Sequence, residues 1–108
     1  MNKELPNDNT GNALQRLKDD GTDLTKMIEI DFFISVPSES FGILVVEKIK
    51  EALPNTTFSI EEEEDDFTCY CKISMIPNYY DVVETESLLN AIAEPYGGYI
   101  DGFGSFGN

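Results

Sequence analysis

The stretch "GFGSFG", residues 102–107, has the glycine spacing G-x-G-x-x-G that holds the pyrophosphate of a dinucleotide in many enzymes. That chemistry requires a strand before the glycines and a helix after them, whose first N–H groups bind the phosphate. Here the glycines fall in the last predicted strand, and Asn108 alone follows them. The motif therefore does not indicate a nucleotide site. We expect Gly102 and Gly104 to permit a bulge or a close backbone approach at a sheet edge.

The acidic run "EEEEDD", residues 61–66, is a second candidate for chemistry, because carboxylates bind calcium. A calcium loop of the EF-hand type needs alternating ligands, a central glycine and flanking helices, and this run has none of these. Two interpretations stay open. The run is a solvated hairpin tip whose like charges keep a sheet edge from aggregating, or it is an acidic patch that binds a basic partner.

Catalytic residue patterns are missing from the sequence. It contains no His, which excludes Ser-His and Cys-His nucleophile pairs and an imidazole ligand for zinc. No two carboxylates are placed in an apolar cleft where their pKa values would diverge. Cys69 and Cys71 are two residues apart, share one face of a strand and are poorly placed for a disulfide. We predict a protein that is not an enzyme and has no cofactor or metal, with both cysteines free and buried in a reducing cytoplasm.

The charge balance limits the partners. There are 21 Asp and Glu residues against 7 Lys and Arg, for a net charge of -14. Such a protein repels the phosphates of nucleic acids and an anionic membrane surface. The sequence also lacks a signal-peptide pattern and the apolar run of about 20 residues that spans a bilayer. We predict a cytoplasmic protein with a basic protein partner; the alternative is that the acidity only maintains solubility.

The chain predicts one domain. Residues 1–11 are polar and are interpreted as a flexible lead-in, and residues 12–108 as a single domain. A short helix follows the lead-in, with Thr10 or Asn12 as its N-cap and Gly21 at its end.

Hydrophobic periodicity then predicts strand, helix, strand, strand, helix, strand. The strands are expected at residues 27–36, 56–64, 67–76 and 99–106, and the helices at residues 38–53 and 78–96. The apolar stripe of the first of these helices is expected to be Phe41, Leu44, Val45, Ile49 and Ala52. This order predicts an α+β fold, a ferredoxin-like two-layer sandwich with a four-stranded antiparallel sheet, two helices on one face and a short N-terminal helix.

The sheet face without helices is expected to carry aromatic side chains between carboxylates. Phe33 and Tyr70, with Phe103 or Tyr99, are the aromatic residues predicted there. RNA-binding sheets of this architecture stack bases on such rings, but they surround them with Lys and Arg. A protein-binding face is therefore predicted; the alternative is that the rings pack against the N-terminal helix or a second copy in a homodimer. The predicted partner-binding residues are Asp31, Phe33, Glu61, Glu62, Glu63, Glu64, Asp65, Asp66, Tyr70, Asp101 and Phe103.

Four segments in this order carry a family resemblance: "DGTDLTK", "IDFFISVP", "KISMIPN" and "YGGYIDGFGS". Together they resemble the RraB family, small acidic bacterial regulators of ribonuclease activity, over roughly residues 12 to 105. The last segment is the most distinctive, because in that family a strand with Asp-Gly-aromatic-Gly follows a helix that ends near glycine. Here these residues are Asp101, Gly102, Phe103 and Gly104, with Phe103 where Trp is common.

The resemblance implies a ferredoxin-like sandwich, a cytoplasmic location and no catalytic residues. It also implies binding to the endoribonuclease RNase E, whose basic RNA-binding segments an acidic domain would occupy. Two other functions stay open at this point. One is an immunity-type inhibitor of a basic nuclease toxin, and the other is a small-molecule-binding domain that uses a pocket between sheet and helices.

Overall fold

Three α-helices and a four-stranded antiparallel sheet make up the fold, in a computed structural model that describes residues 6–64 and 66–104. The elements are α1 (Asn9–Asp19), β1 (Ile28–Val36), α2 (Glu39–Ala52), β2 (Thr57–Glu63), β3 (Asp66–Met75), α3 (Tyr79–Ala93), a 3₁₀ helix (Glu94–Tyr96) and β4 (Tyr99–Gly104). The predicted α+β class and the predicted order of elements are confirmed. Within the described ranges, no helix has both the length and the hydrophobicity needed to cross a bilayer.

The strands lie in the order β2-β3-β1-β4, so β1 is an inner strand. Its sequence agrees with this position, because Ile30, Phe32 and Ile34 share one face of the strand and are all 0% exposed. The pairing of β1 with β3 runs without a shift from Ile28 opposite Met75 to Val36 opposite Phe67. The sheet therefore has one apolar face and one mixed face.

Helices α2 and α3 pack against the apolar face, which closes the core. The buried stripe of α2 consists of Gly42, Val45, Val46 and Ile49, whereas Phe41 and Leu44 are exposed. The predicted burial of Val45 and Ile49 is confirmed, whereas the prediction was wrong for Phe41, Leu44 and Ala52, which are exposed. Gly42 contributes to this difference: a Cβ atom there would lie 3.3 Å from Cys69 Sγ and 3.3 Å from Val36 Cγ2, so glycine lets this face of the helix lie close to the sheet.

Helix α1 begins earlier than the sequence suggested. Its N-cap is Asp8, whose carboxylate accepts a hydrogen bond from the Gly11 N–H at 2.7 Å, so the predicted caps Thr10 and Asn12 were wrong. The helix includes residues 9–11, which we had assigned to the lead-in. The division of the chain into a lead-in and one domain from residue 12 stays a prediction.

Both cysteines are free, as predicted, and both are buried on the apolar face of β3. Burial raises the pKa of the Cys69 thiol to about 11. Burial also raises the pKa of Cys71, and the nearby Cys69 and Asp31 contribute to this rise. These thiols are therefore protonated at neutral pH and serve as small core side chains.

Candidate functional site

The face of the sheet opposite α2 and α3, called the open face below, brings together two aromatic residues predicted from the sequence. Phe33 of β1 lies directly opposite Tyr70 of β3, which lies opposite Ser59 of β2. The Phe33 and Tyr70 rings meet edge to face, with centroids 5.4 Å apart and an interplanar angle of 73°. Such a pair contributes about 0.5–1.5 kcal/mol beyond the area it buries.

Asp31 occupies the neighbouring row of the open face, opposite Lys72. The residue is only 8% exposed, because β1 lies between two other strands. Within residues 6–64 and 66–104, no hydrogen bond or ion pair of 4.0 Å or less reaches its carboxylate. No buried side-chain oxygen of the described residues lacks a hydrogen-bond partner, so the Asp31 oxygens keep contact with solvent and a donor from another molecule can reach them.

A groove of about 430 Å³ runs over Asp31 towards the outer strand β2. It is lined by Asp31, Thr57, Phe58, Ser59, Glu61, Tyr70 and Lys72. The side chains offer three hydroxyls and two carboxylates against one ammonium group. This acceptor-rich lining complements a guanidinium, which carries five N–H donors and no acceptor.

The acidic run divides between the two faces of the sheet. Glu61 lies opposite Thr68 on the open face, whereas Glu62 lies opposite Phe67, which packs against the core on the other face. Strand geometry causes this split, because successive side chains point to opposite sides. Glu64 is exposed in the hairpin loop with a φ of 56. The Glu63 side chain and Asp65 lie outside the described residues, and Asp66 is exposed at the start of β3.

Strand β4 corrects the placement of Phe103. Its pairing with β1 shifts between Phe33 and Ile34, where a bulge inserts Asp101, and Gly102 adopts a φ of 148. The extra residue returns Phe103 to the helix side, where its ring lies 5.8 Å from the ring of Phe32. The prediction that Phe103 lies on the open face was therefore wrong.

Tyr99 is the β4 aromatic residue on the open face, opposite Ser35 and 54% exposed. Asp101 is exposed at the bulge. Of the two predicted roles for Gly102 and Gly104, a bulge or a close backbone approach, the structure shows a bulge beside Gly102, whereas Gly104 pairs regularly with Asp31. Simple alternation could not include the effect of the bulge on the residues that follow.

Helix α1 borders this face at the β4 edge. It packs against α3 and β4, with Leu14 completely buried. The Thr10 hydroxyl donates to Glu86 Oε1 at 2.6 Å, and the Tyr79 hydroxyl donates to the Asp8 carboxylate. The helix is thereby attached to α3 by two polar contacts outside the core.

Glu86→Gln is expected to raise the thermal unfolding midpoint at pH 7. Burial raises the pKa of Glu86, and the nearby charge of Asp8 adds to the rise, so the ionised side chain destabilises the fold. A glutamine oxygen still accepts from Thr10. The pKa of Glu86 is higher in the folded state than in the unfolded state. Ionisation of this carboxyl group therefore lowers the free energy of unfolding as the pH rises through the two pKa values. The gain should disappear near pH 4, where both states bind the proton. Melting curves at the two pH values test this, and an equal gain at both would contradict it.

The predicted set therefore separates into parts. Asp31, Phe33, Tyr70 and Glu61 lie together on the open face, and Glu62 and Phe103 lie on the other side. Sequence reasoning missed four further groove residues, namely Thr57, Phe58, Ser59 and Lys72. Their alternation within each strand was visible in the sequence, but the register that aligns them with Asp31 was not.

Comparison with known protein families gives a match over nearly the whole chain. A family model described as "Regulator of ribonuclease activity B", RraB, matches residues 7–105. Comparisons with curated proteins and with solved structures returned no match. The matched range covers all seven α-helices and strands and every described residue of the groove.

Proposed function

Because the chain belongs to the RraB family of regulators of ribonuclease activity, a regulatory and not a catalytic family, we propose that it acts in the cytoplasm by binding a basic segment of an endoribonuclease such as RNase E. The open face is the proposed contact surface, and the exposed carboxylates of the hairpin extend it. The protein would thereby compete with RNA for the same basic segment.

One observation carries this proposal: Asp31 lines the groove on the open face, is only 8% exposed as a residue, and has no hydrogen bond or ion pair to its carboxylate within the described chain. The carboxylate oxygens are reachable from solvent in the groove, and an arginine from the partner would give them charge-assisted hydrogen bonds. The rings of Phe33 and Tyr70 lie in the next row and supply flat surfaces of the kind on which guanidinium groups stack. The surface thus offers carboxylates and aromatic rings where RNA offers phosphates and bases.

The net charge of -14 supports the same proposal kinetically. An acidic protein accelerates its encounter with a basic partner through long-range attraction, and salt screens that attraction. Binding is therefore expected to be fast and to weaken as salt rises.

The test uses purified RNase E from the same organism and a labelled RNA substrate. The protein is expected to bind the enzyme and slow cleavage, and Asp31→Asn is expected to weaken both effects about tenfold or more. Glu84→Gln serves as the matched control, because it removes the same charge from an exposed position on α3. Raising salt from about 0.05 M to about 0.3 M should weaken the native complex. Absence of binding at the lower salt, or equal binding by the two variants, would refute the proposal.

A further inference from the structure

The two outer strands of the sheet differ in how their free edges are treated. On β4, the bulge at Asp101 interrupts the strand, and helix α1 packs against it. The outward N–H of Ile100 donates to Asn90 Oδ1 of α3 at 2.9 Å. This edge is therefore protected against pairing with another strand in the ways that natural sheets commonly use.

The edge of β2 has its backbone groups directed outwards. Glu63 and Asp66 flank a two-residue loop, so this pair exchanges hydrogen bonds. Bonded and non-bonded pairs then alternate along the ladder, which directs the N–H and C=O groups of Phe58, Ile60 and Glu62 away from β3.

The other side of the sheet checks this alternation independently. When the alternation of bonded and non-bonded pairs is continued across β3 and β1 with the observed register, the N–H of Ile100 must point out of the sheet. The bond from Ile100 to Asn90 has that direction. The outward direction at β2 follows from the same ladder.

Nothing in the described chain pairs with β2 on its outer side, where the order β2-β3-β1-β4 ends. The side chains that accompany this edge near the hairpin are acidic: Glu61, Glu62 and Glu64 are all exposed. Two such edges repel each other, so a second copy of the chain is disfavoured. A strand that carries Lys or Arg is attracted to the same edge.

We propose that a basic, extended segment of the partner adds to the sheet as a fifth strand beside β2. This inference rests on the proposed function and specifies how the partner is held. The main-chain bonds to Phe58, Ile60 and Glu62 would supply affinity, and the side-chain pattern would supply specificity. Lys or Arg is favoured beside Glu61 and Glu62.

At the other end of β2, the preference is different. Lys50 Nζ lies 5.8 Å from the centroid of the Phe58 ring, on the helix side of the strand. A second cation would be repelled there, so an apolar side chain is favoured beside Phe58. A partner segment that fits this edge therefore carries cations at the end beside the hairpin and an apolar residue at the end beside Phe58.

Three synthetic peptides test the inference. The first is an extended peptide with two adjacent Lys residues at one end, for Glu61 and Glu62, and Val residues at the other end. The other two have the same sequence with N-methyl groups on alternate residues, one in each register, so that they keep the charge but cannot form the ladder. We expect the first peptide to bind and to slow amide hydrogen exchange at Phe58, Ile60 and Glu62. The affinity of the methylated peptides should be lower by about tenfold or more.

A pair of variants gives a second measurement. Glu62→Pro removes one outward N–H without breaking a bond to β3, and proline is tolerated at edge positions of this kind. Glu62→Gln removes the charge alone. We expect the proline variant to bind the first peptide more weakly than the glutamine variant does, with thermal melting confirming that both are folded. If the proline variant does not fold, the peptide comparison decides alone.

Three results would overturn the inference. Equal binding of the plain and methylated peptides would mean that the partner does not pair with the β2 edge. If RNase E binding is still weakened by Asp31→Asn, the proposed function remains intact in that case. Failure of both the peptide and RNase E to bind would refute the proposed function as well. Slow exchange at the β2 edge that depends on protein concentration alone would identify a second copy of the chain as the occupant.

Discussion

Replacing Phe32 with alanine is expected to lower the free energy of unfolding by about 3–5 kcal/mol. The ring is completely buried on the inner strand β1, in a cross-strand row with Cys71, and lies 5.8 Å from the ring of Phe103. Its removal would leave a cavity between the sheet and the helices that rigid neighbours fill only in part. Because small domains are stable by about 5–15 kcal/mol, the variant should be partly unfolded under mild conditions.

Phe33→Ala is the matched control, because the next residue is also phenylalanine but points to the open face. Its ring is half-buried and contacts the Tyr70 ring, so we expect a loss of about 1–2 kcal/mol in stability. In this variant, the free energy of binding to RNase E should fall by more than the free energy of unfolding. Urea unfolding followed by circular dichroism measures both variants, and equal losses would contradict the assignment of the two faces.

Gly98→Ala is expected to cost about 2 kcal/mol or more. A Cβ atom at this position would lie 2.9 Å from the backbone oxygen of Ser35 and 3.1 Å from Val36 Cγ1. The Ser35 oxygen belongs to the inner strand β1 and cannot move without disturbing the sheet. The substitution would displace the start of β4, which carries Tyr99 onto the open face.

Gly21→Ala separates steric overlap from backbone strain. Gly21 has a φ of 96, and nothing lies within 4 Å of a Cβ atom built there. Its substitution should therefore cost only the conformational term, about 1 kcal/mol. Thermal and urea unfolding of the two variants should rank Gly98→Ala as clearly the more damaging. The reverse order would show that the close approach at Ser35 relaxes easily.

Much of the open face followed from a period of two. Asp31 and Phe33 alternate with the apolar residues of β1, and Tyr70 alternates with the two cysteines of β3. Each strand therefore revealed its own outward residues. The contact between Phe33 and Tyr70 was not contained in either strand, because it depends on the register between them.

Alternation failed where the backbone departs from it. The bulge at Asp101 adds one residue to β4, and every side chain after it changes face, so Phe103 joined the core instead of the open face. The sequence indicated a bulge through Gly102, but not which residue would be the extra one. The acidic run looked like one patch in the sequence. Because β2 continues into this run, successive side chains alternate between the faces, and Glu61 and Glu62 lie on opposite sides of the sheet.

The sequence by itself determined the order of the elements, the α+β class, the core faces of the inner strands and the absence of a disulfide, because these depend on local periodicity and composition. Its four distinctive segments also indicated the family. Only the tertiary structure decided which residues become neighbours. The pairing register placed Lys72, Thr57 and Ser59 around Asp31, and the packing of α2 on the sheet buried Gly42 and Val46 instead of Phe41 and Leu44. Both outcomes depend on packing between segments far apart in the chain, and periodicity within one segment carries no information about that.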